Sequence, residues 1–150
     1  MNALLEQVLM LTKKQCQRYQ VEVNWEAADD LPPLMLVPDR MRQVLLNLVL
    51  NAVDAMPEGG RLQVGTSHTS DPAGVYISFA DSGRGIAPNA ISHVFDPFYT
   101  TKPEGLGLGL YITRNIVEEH GGHVEVESPS ASLRAGQVGE GATFKVWLPA

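Results

Sequence analysis

The pattern of apolar and polar residues is clearest in residues 39–60, where it predicts a helix with a wide apolar surface. Polar residues recur there every three or four positions and fall on one narrow stripe of the helix; they are Arg40, Gln43, Asn47, Asn51 and Asp54. Almost all of the remaining positions are apolar, so most of the helix should be buried. An unpaired buried amide costs about 1–3 kcal/mol. The two asparagines therefore need partners, either neighbouring backbone groups or a ligand.

Two further segments have helical spacing. Residues 2–19 predict a helix whose apolar positions are Leu4, Leu5, Val8, Leu11 and Cys16. Residues 108–120 predict another helix, which Gly121 and Gly122 end.

The segments between the helices alternate with a period of two residues, which predicts strands. These strands cover residues 21–27, 61–69, 74–80, 123–128 and 142–148. Residues 34–37 are a short apolar strand or an extended piece, and the Ser- and Gly-rich connection before the last strand is typical of an exposed loop. In that last strand we expect Phe144, Val146 and Leu148 to lie in the core.

Residues 81–107 show little regular pattern beyond a short predicted helix at about residues 90–95. Long irregular segments are uncommon in compact domains and are usually functional or disordered. This one contains four glycines and three aromatic residues, which favours a binding loop over a plain linker; they are Gly83, Gly85, Gly105, Gly107, Phe95, Phe98 and Tyr99.

Composition limits the possible classes of protein. A chain of 150 residues that is 44% hydrophobic suits one domain with a proper core. The net charge of −6 gives no indication of a nucleic-acid or anionic-membrane partner, so an anionic ligand must be held by a local arrangement. A single cysteine, Cys16, fits a reducing compartment or a place in the core. Without a long apolar run or a signal-peptide pattern, we expect a soluble, cytoplasmic domain.

Asp81 is the first candidate binding residue, because it ends the apolar strand and precedes a glycine-rich turn. A carboxylate in this position can simply cap the turn. It can also accept a hydrogen bond from the exocyclic amine of adenine, whereas guanine presents an acceptor at the corresponding place. Thr143 is placed to bridge to the same carboxylate, directly or through water.

The run of residues 105–110 alternates glycine with leucine and leads directly into a predicted helix. Glycines before a helix expose N–H groups in a region of positive potential, which suits a phosphate, although the same alternation also allows close helix packing. Lys102, with Thr100 and Thr101, can supply a cation and hydroxyls to the same phosphates or be an ordinary solvated lysine. Asn51 can offer a neutral oxygen to Mg²⁺ beside those phosphates.

Five motifs therefore stand in order along the chain: Asn47 with Asn51, DSGRGI, FDPF, GLGLGL and GEGATF. In this combination the sequence resembles the catalytic ATP-binding domain of bacterial sensor histidine kinases, over nearly its whole length. The resemblance implies an α/β two-layer sandwich, the Bergerat ATP-binding fold, with a mixed sheet of about five strands packed on three helices. It also implies ATP and Mg²⁺ as cofactors.

The resemblance assigns roles to individual residues. Asn51 matches the Mg²⁺-binding asparagine, Asp81 the adenine-binding aspartate and Thr143 the threonine near the adenine. Gly83 and Gly85 match the first glycine motif, and Phe95 and Phe98 match the phenylalanine motif of the lid. The implied nucleotide site consists of Asn47, Asn51, Asp54, Asp81, Gly83, Gly85, Ile86, Phe98, Thr100, Thr101, Lys102, Gly105, Leu106, Gly107, Leu108, Gly109, Leu110 and Thr143.

Two positions depart from the pattern of the family. Leu106 stands where many of these kinases have threonine, and Asp54 stands where many have a basic residue. Neutralisation of the phosphates should therefore shift to Lys102 and Mg²⁺. We assign a catalytic role to Lys102 and to Asn47.

Asn47 occupies the place of the glutamate that activates water in the hydrolytic branches of the superfamily, and an amide is a poor general base. The resemblance therefore implies transfer of the γ-phosphate to a histidine on a separate dimerising hairpin. We expect this chain to be the catalytic half of a larger kinase, monomeric on its own, which serves a response regulator indirectly and whose parent can be membrane-attached. Alternatives are a nucleotide-responsive binding module, a stand-alone ATPase or a serine kinase of the same superfamily.

Overall fold

The computed structural model describes residues 1–129 and 141–150. Within these residues the chain forms three helices and five strands. In chain order they are α1 (Asn2–Arg18), β1 (Val21–Glu26), α2 (Pro38–Asp54), β2 (Gly60–Ser70), β3 (Ala73–Asp81), α3 (Gly109–Glu119), β4 (His123–Glu127) and β5 (Ala142–Pro149). None of the helices in the described part of the chain is long and apolar enough to cross a membrane.

The strands form one mixed sheet in the order β1-β2-β3-β5-β4. Strand β1 pairs with β2 in parallel, and every other pair is antiparallel. Alternate residues of β5 are buried, which places the three helices over one face of the sheet and leaves the other face to solvent. The predicted two-layer α/β sandwich is confirmed.

Helix α2 forms the centre of the core. It begins with Pro38 in its first turn, where the missing N–H of proline costs nothing. Seven of its side chains are buried and belong to the hydrophobic core between the helices and the sheet; they are Met41, Val44, Leu45, Leu48, Val49, Ala52 and Val53. The opposite stripe, with Asn47, Asn51 and Asp54, remains partly or fully exposed. The prediction of a largely buried helix with one polar stripe agrees with this arrangement.

Helix α1 differs from its predicted apolar face. Leu11 is 68% exposed, whereas Thr12 is buried beside Leu5, Val8 and Cys16. The hydroxyl of Thr12 donates to the carbonyl oxygen of Val8 at 2.9 Å, so this buried polar group is satisfied. The buried stripe therefore follows spacings of three and four residues through Thr12, and the expectation that Leu11 joins it is wrong. Burial raises the pKa of the Cys16 thiol, which fits a place in the core.

The structure also decides the conformation of two short predicted elements. Residues 34–37 are extended without pairing to a strand of the described sheet. Residues 90–95 form consecutive turns and not the expected short helix, because most of their backbone hydrogen bonds join residues three apart, such as His93 to Ala90. The predicted exposed loop before β5 lies almost entirely outside the described residues.

We expect Leu45→Ala to lower the free energy of unfolding by about 2–5 kcal/mol, because Leu45 is fully buried in the hydrophobic core. Met10→Ala is the matched control: this side chain on α1 is 78% exposed, and its loss should change stability by less than about 0.5 kcal/mol. Urea denaturation of both variants measures the difference. Equal losses for the two would contradict this assignment of the core.

Candidate functional site

A cleft of about 770 Å³ opens where α2 and α3 diverge over the end of β3. Its walls come from the exposed stripe of α2, the ends of β3 and β5, and the irregular segment between β3 and α3. The volume lies within the range of small-molecule and cofactor sites. The cleft therefore joins the regions that the sequence singled out.

Asp81 lies at the inner end of the cleft and is 7% exposed. Val75, Ile77 and Phe79 precede it on the inner face of β3, so the strand alternation turns the carboxylate toward the helices. One carboxylate oxygen accepts a hydrogen bond from the Gly83 N–H at 2.9 Å. Burial raises the pKa of Asp81 above its ordinary value, although the N–H groups of Gly83 and Ala142 and the charge of Arg84 act in the opposite direction.

The turn after Asp81 is held tightly against its neighbours. A side chain at Gly83 would have its Cβ 2.3 Å from the carbonyl oxygen of Ala55, and one at Gly141 would lie 1.9 Å from that of Asp81. Ser128 ties both sides of this region together: its hydroxyl accepts from the Ile86 N–H at 3.0 Å and donates to the Gly141 carbonyl at 2.7 Å. The backbone around the carboxylate is thus packed too closely for any residue but glycine at these two points.

The two asparagines of α2 have different surroundings. Asn47 donates from Nδ2 to the carbonyl oxygen of Gly109 at 3.3 Å and to Oγ1 of Thr113 at 3.4 Å. It therefore links α2 to the first turn of α3. The side chain of Asn51 lines the cleft one turn later and makes no side-chain hydrogen bond within residues 1–129 and 141–150. Of the two alternatives for these amides, a protein partner holds for Asn47, and Asn51 is free to meet a ligand.

The N-terminus of α3 opens into the same cleft. Its first N–H groups receive no side-chain cap from the described residues, and the position of a Cβ at Gly109 has no atom within 4 Å. The residues Gly105, Leu106, Gly107, Leu108, Gly109 and Leu110 all line the cleft. Uncapped N–H groups and the positive end of the helix dipole make this end of α3 suitable for a phosphate.

Residues 98–107 form a loop that covers one side of the cleft. The Phe98 N–H donates to the Gly107 carbonyl at 2.9 Å and closes this loop at its base. Lys102 reaches from the loop to α2, where its Nζ lies 2.6 Å from Oδ2 of Asp54. Thr100, which like Thr101 lines the cleft, accepts from the Lys102 N–H at 3.0 Å. Lys102 is therefore paired and is not an ordinary solvated lysine.

Three of the predicted site residues do not line the cleft. Gly83 lies behind Asp81 and contributes its N–H to that carboxylate. Phe98 is 74% exposed at the base of the loop, whereas Phe95 packs edge-on against Phe144 at 6.2 Å between ring centroids. Thr143 faces the solvent side of the sheet, because the inward positions of β5 are Ala142, Phe144, Val146 and Leu148. The expectation that Thr143 bridges to Asp81 is wrong on this geometry.

The cleft also contains residues that the sequence reasoning left out of the site. They are Leu50, Ala55, Arg84, Ala87, Pro88, Ala90, Val94, Tyr99, Ala142 and Phe144. For Ala142 a signal was present, since the alternation of the last strand places it on the same face as Phe144. Leu50 directly precedes Asn51 in the sequence of α2. The small residues of the turns, such as Ala87 and Ala90, carry no signal in the sequence.

Comparison with known proteins gives a consistent result. The family described as histidine kinase-, DNA gyrase B- and HSP90-like ATPases matches residues 36–150. The sensor histidine kinase ZraS of Escherichia coli (strain K12) is 42% identical over 149 residues, which are 99% of this chain and 30% of ZraS. Sporulation kinase E of Bacillus subtilis (strain 168) is 34% identical over 97% of this chain and 19% of its own length. The chain thus spans less than a third of either relative.

Solved structures agree with these relatives. The nucleotide-free catalytic domain of histidine kinase ThkA superposes with a TM-score of 0.82 at 30% identity, over 99% of this chain and 91% of that one. Full-length ShkA in complex with AMPPNP also gives 0.82, at 33% identity, over 98% of this chain and 29% of ShkA. With its sheet, its cleft and these matches in agreement, the chain belongs to the histidine kinase-, DNA gyrase B- and HSP90-like ATPases, and its structural relatives there are the catalytic domains of histidine kinases.

Proposed function

We propose that this domain binds Mg²⁺-ATP and donates the γ-phosphate to a histidine on a separate dimerisation domain of a sensor kinase, in two-component signal transduction. The observation that carries the proposal is the presence of three complementary groups in one cleft. Asp81 is an acceptor for the amine of adenine, the N-terminus of α3 is a site for phosphates, and Asn51 is a neutral metal ligand.

The residues fit the implied metal as well as the nucleotide. Mg²⁺ takes oxygen ligands and usually keeps one or two from the protein beside those from phosphates. Asn51 provides such an oxygen on the wall of the cleft and is not used by a described neighbour. When bound, the metal would neutralise charge on the phosphates. Lys102 would add a second positive charge from the loop.

Transfer to a protein acceptor suits this cleft better than hydrolysis does. Hydrolysis needs a general base beside the attacking water. Asn47 is a neutral amide engaged with Gly109 and Thr113. Among the described residues of the cleft the carboxylates are Asp54 and Asp81, and they are engaged by Lys102 and by the Gly83 N–H. Asn47 is a neutral amide and Asp54 lies two turns further along α2, so no carboxylate of the described cleft stands beside position 47, and the γ-phosphate should persist until a nucleophile arrives from outside.

The relatives support a proposal for the acceptor and for the downstream partner. ZraS is a sensor histidine kinase of which this chain matches 30%, so most of such a protein lies outside the region compared. ThkA, 28% identical to this chain, has been solved in complex with the response regulator TrrA. We propose the same arrangement of parts here: a parent kinase that supplies the phosphoacceptor histidine, and a response regulator that receives the phosphate from it. The isolated domain is proposed to be a monomer.

The direct test mixes the domain with γ-labelled ATP, Mg²⁺ and the histidine-bearing hairpin of its parent kinase. We expect label on the hairpin that is lost in acid and kept in base, as a phosphoramidate is. A hairpin whose acceptor histidine is changed to glutamine should stay unlabelled. Label on serine would favour the serine-kinase alternative, and release of free phosphate without transfer would favour the ATPase alternative. ATP that binds without transfer or hydrolysis would favour the binding module.

Asn51→Ala should weaken the binding of Mg²⁺-ATP by about tenfold or more and should leave metal-free ATP binding much less affected, because the neutral metal ligand is lost. Calorimetric titrations with Mg²⁺ and with a chelator separate the two effects. Gln43→Ala serves as the control, because Gln43 is exposed on the same stripe, one turn before Asn47. Equal binding by Asn51→Ala with and without Mg²⁺ would remove Asn51 from the metal site.

The raised pKa of the Asp81 carboxyl predicts that adenosine binding depends on pH. The amine of adenine donates to the ionised carboxylate, so bound adenosine should lower the pKa that burial has raised. Affinity should therefore be full above the pKa of the free domain and decline as the pH falls through it. NMR titrations from about pH 7 to about pH 4 follow both the carboxyl shift and the affinity.

Asp81→Asn is the control for this pH dependence. Its affinity for adenosine should be nearly flat with pH, and its preference for adenosine over guanosine should shrink by about 1–3 kcal/mol, because the amide can also donate to guanine. A wild-type carboxyl that is still mostly ionised at about pH 4, as expected for its ordinary pKa of 3.8, would contradict the raised pKa. An Asn variant that rejects guanosine as strongly as the wild type does would contradict the assignment of Asp81 to adenine.

A further inference from the structure

We propose that Asp54 competes with the nucleotide for the phosphate-binding cation: it holds Lys102 in the nucleotide-free domain and gives it up when a triphosphate binds. This inference rests on the proposed function. Its consequence is that Asp54 sets the strength of ATP binding without itself contacting the phosphates.

The contact itself is well defined. Nζ of Lys102 lies 2.6 Å from Oδ2 of Asp54, and the two side chains are 34% and 48% exposed. Asp54 is the last residue of α2, three positions after Asn51 and on the same stripe. Both members of the pair line the cleft. The pair therefore joins α2 to the loop at the wall of the cleft, three residues after the amide that we assign to the metal.

Lys102 contacts Asp54 through its side chain and not through its backbone. Its N–H is held locally by the hydroxyl of Thr100, and the loop is closed at its base by Phe98 and Gly107. The ammonium group can then leave Asp54 by rotation of a flexible side chain, without unfolding of the loop. The exchange needs only rotamer changes.

Local energetics favour such an exchange. A carboxylate in the last turn of a helix meets the negative end of the helix dipole, and α2 has no basic residue there to offset it. Lys102 supplies the missing positive charge from the loop. An ion pair this exposed is nevertheless weak. A triphosphate carries several negative charges and is therefore a stronger partner for the lysine than a single carboxylate.

The test is a double-mutant cycle on Mg²⁺-ATP affinity, measured by calorimetry for Asp54→Asn, Lys102→Met and the double variant. Asp54→Asn should bind ATP about two- to fivefold more tightly than wild type, because the lysine is already free. Lys102→Met should bind more weakly, and Asp54→Asn should have no effect in that background. Asp54→Glu, which keeps the charge, should restore affinity close to the wild-type value.

Glu118→Gln is the matched control, because it breaks an ion pair of similar exposure with Arg114 at the far end of α3 and changes the net charge equally. Its affinity for ATP should equal that of wild type. Cleavage of the loop by chymotrypsin gives a readout without nucleotide: Asp54→Asn and Lys102→Met should speed it equally, and the double variant no further.

The possible outcomes distinguish a failure of the proposed function from a failure of the role proposed for Asp54. If the wild type binds no ATP, both the proposed function and this inference fail. If the wild type binds ATP but Asp54→Asn lowers the affinity for ATP or leaves that affinity unchanged, only the role of Asp54 is wrong. An equal gain from Asp54→Asn with and without Lys102 would also overturn the inference, since Asp54 would then act by direct repulsion of the phosphates.

Discussion

The whole site depends on the two faces of helix α2. One face carries the side chains that fill the core over the sheet, and the other carries an exposed polar stripe. Because the first face is buried against α1, α3 and β3, the stripe has little freedom to turn or slide. Asn47 then joins the stripe to the first turn of α3, so the core also fixes the end of α3 that faces the cleft.

Asp81 is also fixed by the core, but through strand β3 and not through helix α2. The strand that buries Val75, Ile77 and Phe79 continues its alternation to a carboxylate, which is placed where a fourth apolar residue would serve stability better. Burial raises the pKa of this group, so at neutral pH its ionised form is kept at some cost to the folded state. Such an expensive placement, at the inner end of a cleft, is typical of a functional site.

Much of this could be predicted from the sequence, since periodicity reports burial directly. The buried face of α2 and the strands follow from spacing, whereas the gathering of Asn51, Asp81 and the glycines at residues 105–109 is implied by the resemblance of the ordered motifs to the kinase family. Thr143 does not reach Asp81, because the alternation of β5 points Ala142 inward and Thr143 outward, and a motif match carries no information about which face a residue occupies. The Lys102–Asp54 pair joins residues 48 positions apart across a loop, and no local pattern contains that information.

The most direct test of this account is a crystal structure of the domain with Mg²⁺ and a non-hydrolysable ATP analogue. The account predicts the adenine amine within hydrogen-bond distance of the Asp81 carboxylate, the phosphates at the N-terminus of α3 and the metal on the side-chain oxygen of Asn51. A nucleotide bound outside this cleft, or bound in it with the adenine at Asn51 and the phosphates at Asp81, would contradict the account.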